Sequence, residues 1–177
     1  MFEDYLIDSS KLYEEAITCT DERTAKRYFR GSVFYAASCM EAFVNYIADT
    51  LDKGGKMDDF EIAFLMDFNF IFDTNSLKKI KKIEYHRVED KAKFLIKKFD
   101  QGFYFNIKEW SDFIAFKDFR NNLIHPRNME DEFKIEDYKE KIRNGLSSII
   151  FLMNIIAIAI FKKPLRKQLL DLNPLSS

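Results

Sequence analysis

The run Asn144-Gly145-Leu146-Ser147-Ser148-Ile149-Ile150-Phe151-Leu152-Met153-Asn154-Ile155-Ile156-Ala157-Ile158-Ala159-Ile160-Phe161 holds 18 positions without a charge. A bilayer needs about 20 apolar residues, with roughly 17 as the short limit, so the run is close to a membrane span by length. Two features argue for a buried core or dimer-interface helix instead. Asn144, Gly145, Ser147, Ser148 and Asn154 dilute the run, and no Trp or Tyr directly flanks it. A helix that is apolar all round suits a protein interior as well as a membrane. The expectation is a buried helix within a last helical segment from about 135 to 163, and no membrane.

Outward from that run, the chain has 177 residues with 5 Gly and 3 Pro, and the first proline is Pro126. Sandwiches and barrels announce themselves by frequent Gly/Pro-rich turns, whereas a long proline-free stretch favours helices. Apolar positions at Tyr5, Leu6, Leu12, Tyr13, Ala16 and Ile17 predict a helix over 2–19. Thr20-Asp21-Glu22 offers a break with a capping residue, and a long helix follows from about 22 to 52, stopped by Lys53-Gly54-Gly55. A shorter helix is predicted over 58–67, then an aromatic, irregular stretch at 68–72, and a helix from about 109 to 125. The reading is an all-α, single-domain bundle of five to six helices spanning residues 1–177, with a short C-terminal tail at 164–177. A hydrophobic content of 47%, including 19 Phe, excludes a disordered chain.

The two cysteines, Cys19 and Cys39, form no CxxC pair, and Cys39 sits in an apolar stretch that predicts a small buried hydrophobe. The start, Met1-Phe2-Glu3-Asp4-Tyr5, lacks the basic and apolar regions of a signal peptide, so a cytoplasmic protein with reduced thiols is expected.

The net charge of −1 conceals a division. Residues 76–98 carry nine Lys/Arg against three acids, or +6, which leaves −7 elsewhere. Lys78, Lys79, Lys81, Lys82 and Arg87 are candidate RNA-binding residues, because clustered cations release counterions when they meet a phosphate backbone. The competing reading is a solvated helix face beside Ile80, Ile83, Phe94 and Leu95. His86 has no partner at metal-ligand spacing and reads as a surface residue.

The one constellation with chemical content is Asp118-Phe119-Arg120-Asn121-Asn122-Leu123-Ile124-His125-Pro126-Arg127. Arg120 supplies fixed, always-charged donors suited to phosphate, and a His moves protons near neutral pH. Asn121 can orient either one. The residue before a proline is pushed out of the α region, so His125 should end the helix and free its ring to swing toward Arg120 and Asn121. RNA cleavage needs no metal when the 2′-hydroxyl attacks its own phosphodiester, and neither metal nor cofactor is expected here. The bland alternative makes Arg120 an ion-pair partner of Asp118 or Glu41, and His125 a helix cap.

Arg120-Asn121-Asn122-Leu123-Ile124-His125 resembles the R-x4-6-H signature of HEPN domains, with Asn121 as the polar residue that commonly follows the Arg. The stretch Ala36-Ala37-Ser38-Cys39-Met40-Glu41-Ala42-Phe43-Val44-Asn45 is similar to the long second helix of that family. The resemblance implies a helical bundle that dimerises and joins two motifs across the interface. It implies a metal-independent endoribonuclease of toxin, defence or RNA-processing type, with RNA as partner and a separate antitoxin chain possible. By the resemblance, Arg120 and His125 would be catalytic and Asn121 supporting; apart from the resemblance, Arg127 joins the lysines as a candidate RNA-binding residue. Glu41 and Asn45 lie one turn apart and could support the site. The alternative is a non-catalytic HEPN-like dimeric module that binds a nucleotide or a protein.

Overall fold

A computed structural model describes residues 1–76, 78–125 and 133–175. Along it run α1 (Phe2–Thr18), α2 (Glu22–Lys53), α3 (Asp59–Leu65), β1 (Phe68–Asp73), β2 (Lys78–Ile83), α4 (Val88–Phe99), α5 (Lys108–Ile124), α6 (Ile135–Phe161) and α7 (Lys167–Leu170). Helix accounts for 69% of the described residues, so the fold is all-α with one small hairpin attached. Six helices match the expected bundle, and α7 is the single turn in the tail.

α1 and α2 form an antiparallel pair. Asp21 caps α2, its carboxylate accepting the Thr24 amide at 2.8 Å, as the Thr20-Asp21-Glu22 break implied. Midway along the pair two small side chains are fully buried, and each satisfies the other helix. Ser9 Oγ donates to the Ser32 carbonyl and Ser32 Oγ donates to the Ser9 carbonyl, both at 2.8 Å. No buried hydroxyl is left unpaired there, which spares the desolvation penalty of a lone polar group.

α6 is long and apolar enough to cross a membrane, and 67% of its most apolar window is buried inside the protein. It packs on α2, α4 and α5. Ile142, Leu146, Ile149, Leu152, Met153 and Ile156 are each no more than 1% exposed. Full burial of such side chains contributes roughly 1.5–3 kcal/mol apiece before entropy is counted. The charge-free run is thus a core helix, and Asn154 within it serves the tail: its Oδ1 accepts the Leu165 amide at 2.9 Å.

The hairpin corrects the expectation for residues 68–98. Residues 68–72 are part of a strand, not an irregular stretch, and the basic segment is not one helical face. Its first half is β2, antiparallel to β1 with Phe68 opposite Ile83, Ile71 opposite Ile80 and Asp73 opposite Lys78. Asp73 shapes the turn by accepting from the Asn75 amide at 3.1 Å, the Ser76 amide at 3.3 Å and Ser76 Oγ at 2.5 Å. These bonds hold its carboxyl below the ordinary aspartate range. On one face Phe68 and Phe70 turn toward α3, where the Phe60 and Phe70 rings meet edge to face at 6.4 Å. The other face is open to solvent.

Candidate functional site

α5 buries Phe113, Phe116 and Phe119, three residues apart, and these fix the direction in which its polar positions point. Phe119 is wedged against Phe133 at 4.9 Å and Tyr138 at 5.4 Å. The helix ends at Ile124, and His125 takes φ −125° and ψ 68°, outside the α region. Its amide still donates to the Asn121 carbonyl at 2.9 Å. His125 therefore terminates the helix as its position before a proline implied; Pro126 and Arg127 themselves lie outside the described residues. The imidazole is exposed.

Arg120 points elsewhere. Its Nη1 donates to Asn121 Oδ1 at 3.2 Å, while its Nε is buried without a hydrogen-bond partner. Among the described residues no carboxylate is within ion-pair reach of the guanidinium. Asp118, the neighbouring acid, lies 3.4 Å from Lys117. Arg120 and Asn121 both line a cleft of about 430 Å³ between α2, α5 and the connector from β2 to α4. Met40, Phe113, Phe116 and Ile149 form its apolar floor, and Glu41, His86, Arg87, Glu89 and Lys117 complete the rim. His125 is not among the lining residues.

His86 is not the surface residue that its sequence context suggested. Its side chain is 21% exposed, with the ring against Phe64 at 4.5 Å. The backbone is pinned by Asp67, whose Oδ1 accepts the His86 amide at 2.7 Å. Asp67 adopts φ 58°, a conformation that few non-glycine residues occupy, and its Oδ2 accepts from the buried Lys91 ammonium at 2.6 Å. The Asp67 and Glu84 carboxylates stand 3.8 and 3.7 Å from Nδ1 and Nε2 of the imidazole, beyond hydrogen-bond reach. Nδ1 is buried and has no hydrogen-bond partner among the described residues.

Two carboxylates temper the positive rim. Glu89 is buried and accepts from Lys117 Nζ at 2.7 Å, a bond that raises the Lys117 pKa above its ordinary value. Glu41 is exposed at the edge. With Arg87, Lys117 and Arg120 against Glu41 and Glu89, the cleft has a surplus of positive charge, suited to an anionic group above an apolar floor.

The lysines expected to bind RNA lie on β2, and the ribbon divides them. Lys79 and Lys81 share the face turned to α3: Lys79 pairs with Asp59 at 3.0 Å and sits 3.6 Å over the Phe70 ring, and Lys81 sits 4.3 Å over Phe68. Lys78 and Lys82 project from the other face, beside Asp73 and Asn69. Ile83 ends β2 only three positions before His86, so the basic strand leads into the cleft. His86 and Lys117 were not foreseen as site residues. Their neighbourhood joins positions near 41, 86 and 120, which no local motif links.

No protein-family model, curated protein or solved structure matches this chain.

Proposed function

We propose that the protein is a metal-independent endoribonuclease of HEPN type, acting as a homodimer in toxin, defence or RNA-processing biology in the cytoplasm. The supporting observation is Arg120: a guanidinium oriented by Asn121, with one buried nitrogen lacking a hydrogen-bond partner among the described residues, five residues before an exposed histidine. Arg120 binds the scissile phosphate and offsets the charge that builds on it. The RNA 2′-hydroxyl attacks phosphorus, and the bond from phosphorus to the 5′-oxygen breaks. His125 moves the protons, taking one from the 2′-hydroxyl or giving one to the departing 5′-oxygen. The product ends are a 2′,3′-cyclic phosphate and a 5′-hydroxyl. A dimer that brings two α5 ends together would supply a second His125 for the other proton transfer. The exposed lysines of β2 add attraction for the backbone that is independent of sequence.

The test is incubation of end-labelled RNA in EDTA with wild type, His125→Ala and Arg120→Ala. Wild type is expected to cleave and leave cyclic phosphate ends, and both variants to lose most of the rate. Equal rates in all three, or no cleavage by wild type, sink the proposal.

A further inference from the structure

The ribbon has a closed base, and one imidazole faces both of its legs. Asp67 stands directly before β1 and Glu84 directly after β2, and the Glu84 amide donates to the Asp67 carbonyl at 3.0 Å. His86 Nδ1 lies 3.8 Å from Asp67 Oδ1, and Nε2 lies 3.7 Å from Glu84 Oε1. Neither contact is a hydrogen bond at that distance, and the buried Nδ1 makes none among the described residues. Buried polar atoms in folded proteins are nearly always paired, so the unmet nitrogen calls for a reason. A neutral imidazole has one N–H and serves only one leg, whereas the protonated ring has two donors. Both acceptors have capacity left. Asp67 Oδ1 takes the His86 amide at 2.7 Å and, as a carboxylate oxygen, accepts a second donor. The Glu84 side chain is 52% exposed and turns without displacing the core. Ring and leg are both tied to the bundle: the imidazole rests on Phe64 of α3 at 4.5 Å, and Asp67 Oδ2 accepts from Lys91 of α4 at 2.6 Å.

We propose that His86 is a proton-operated latch at the base of the ribbon: when the ring takes up a second proton from solvent, Nδ1–H bonds Asp67, Nε2–H bonds Glu84, and one side chain holds both legs. Histidine is the side chain whose ordinary charge change falls near neutral pH. The other charged or titratable groups lining the two clefts that His86 shares are Glu41 of α2, Tyr85 and Arg87 beside it, Glu89 and Lys91 of α4, and Lys117 and Arg120 of α5. Groups of these types ordinarily keep one charge state across neutral pH, so the imidazole is the member that switches. As pH falls through the titration of the ring, the base of the ribbon tightens and the β2 lysines are held in one orientation toward the bundle. The device needs no RNA and stands apart from the nuclease reading.

The experiment is hydrogen exchange on the full chain, read by NMR at the amide of residue 84 from about pH 5 to pH 8. Rates are expressed as protection factors, which removes the intrinsic pH dependence of exchange, and the His86 ring resonances are followed in the same samples. The chain has two histidines, so His125→Gln provides a background in which His86 is the single one. Protection should rise by about tenfold as the ring gains its proton, the scale of one charge-assisted bond. In His86→Gln the profile should be flat. In Glu84→Gln the step should shrink to about threefold, because one of two partners is lost. This second variant, at an exposed position, keeps the test open if the first fails to fold by circular dichroism. Three results overturn the latch: protection that does not follow the charge of the ring, a step that survives in folded His86→Gln, or a full-sized step in Glu84→Gln.

Discussion

Phe116 and Gly145 meet where α5 crosses α6, so closely that a Cβ on residue 145 would stand 2.2 Å from Phe116 Cδ2 and 2.4 Å from its Cγ. The aromatic ring occupies the space that any other residue would need. Phe116 is 2% exposed and has no room to swing aside.

Gly145→Ala should therefore destabilise the protein although alanine is the better helix former. The propensity gain is at most about 1 kcal/mol, whereas overpacking a tight core costs typically about 1–3 kcal/mol. A lower urea midpoint is expected, with partial recovery when Phe116→Leu is added. A Gly145→Ala protein more stable than wild type would contradict the packing described.

Lys117→Met would leave the Glu89 carboxylate buried without its cation. The pair is only partly desolvated, so a loss of about 2–3 kcal/mol is expected, somewhat below that of a fully buried pair. The raised pKa of Lys117 gives a sign for pH. Its contribution is complete below the ordinary lysine value of 10.5 and disappears as pH rises through the higher folded value. Wild type should lose stability above that pH more steeply than the variant, as thermal melts across alkaline buffers would show.

Asp73 titrates in the opposite direction. Its lowered pKa means that the turn is stabilised above the ordinary aspartate value of 3.8 and loses that support as pH falls through the folded value. Amide shifts of Ser76 followed by NMR should have a midpoint below 3.8 in wild type, moving up in Ser76→Ala.

Cys39 is fully buried, its Sγ is 3.7 Å from Met153 Sδ, and burial pushes its pKa up to about 12. The thiolate is the reactive species, so a thiol reagent at neutral pH should label Cys19 in the folded protein and reach Cys39 only after denaturation. Stoichiometric labelling of both without urea would show that the core opens readily.

For the hairpin, replacing Lys78, Lys81 and Lys82 by Gln should flatten the salt dependence of RNA binding. With about 0.7 counterions released per single-strand phosphate contact, the slope of log K against log salt should fall by roughly 2. Lys79 is left in place because it is engaged by Asp59 and Phe70. An unchanged slope would remove the ribbon from the RNA path.

The long helices were legible because their signals are local. α2 has an Asp cap, a periodic apolar face and Gly54-Gly55 at its end, and α6 carries a largely apolar run of 18 residues without a charge. The hairpin was not. Lys78-Lys79-Ile80-Lys81-Lys82-Ile83 repeats every three residues, which imitates one face of a helix. In the strand that spacing puts Ile80 and Ile83 on opposite faces, both at least 40% exposed, so burial did not dictate the pattern. At the site, Arg120, Asn121 and the helix end at His125 could be read from one short segment. The cleft could not, because His86 enters it only through Asp67, a residue with positive φ that bonds Lys91 far along the chain.

Among the described residues, none of the hydrophobic side chains between Leu65 and Val88 joins the core cluster or packs against it. The ribbon is thus an exchangeable part. Its charge and length can drift, or be replaced by a graft, while the helical body keeps its stability. Residues that build the core and residues outside it are separated along the chain, and an engineer altering surface charge would begin with the twelve strand positions rather than with the bundle.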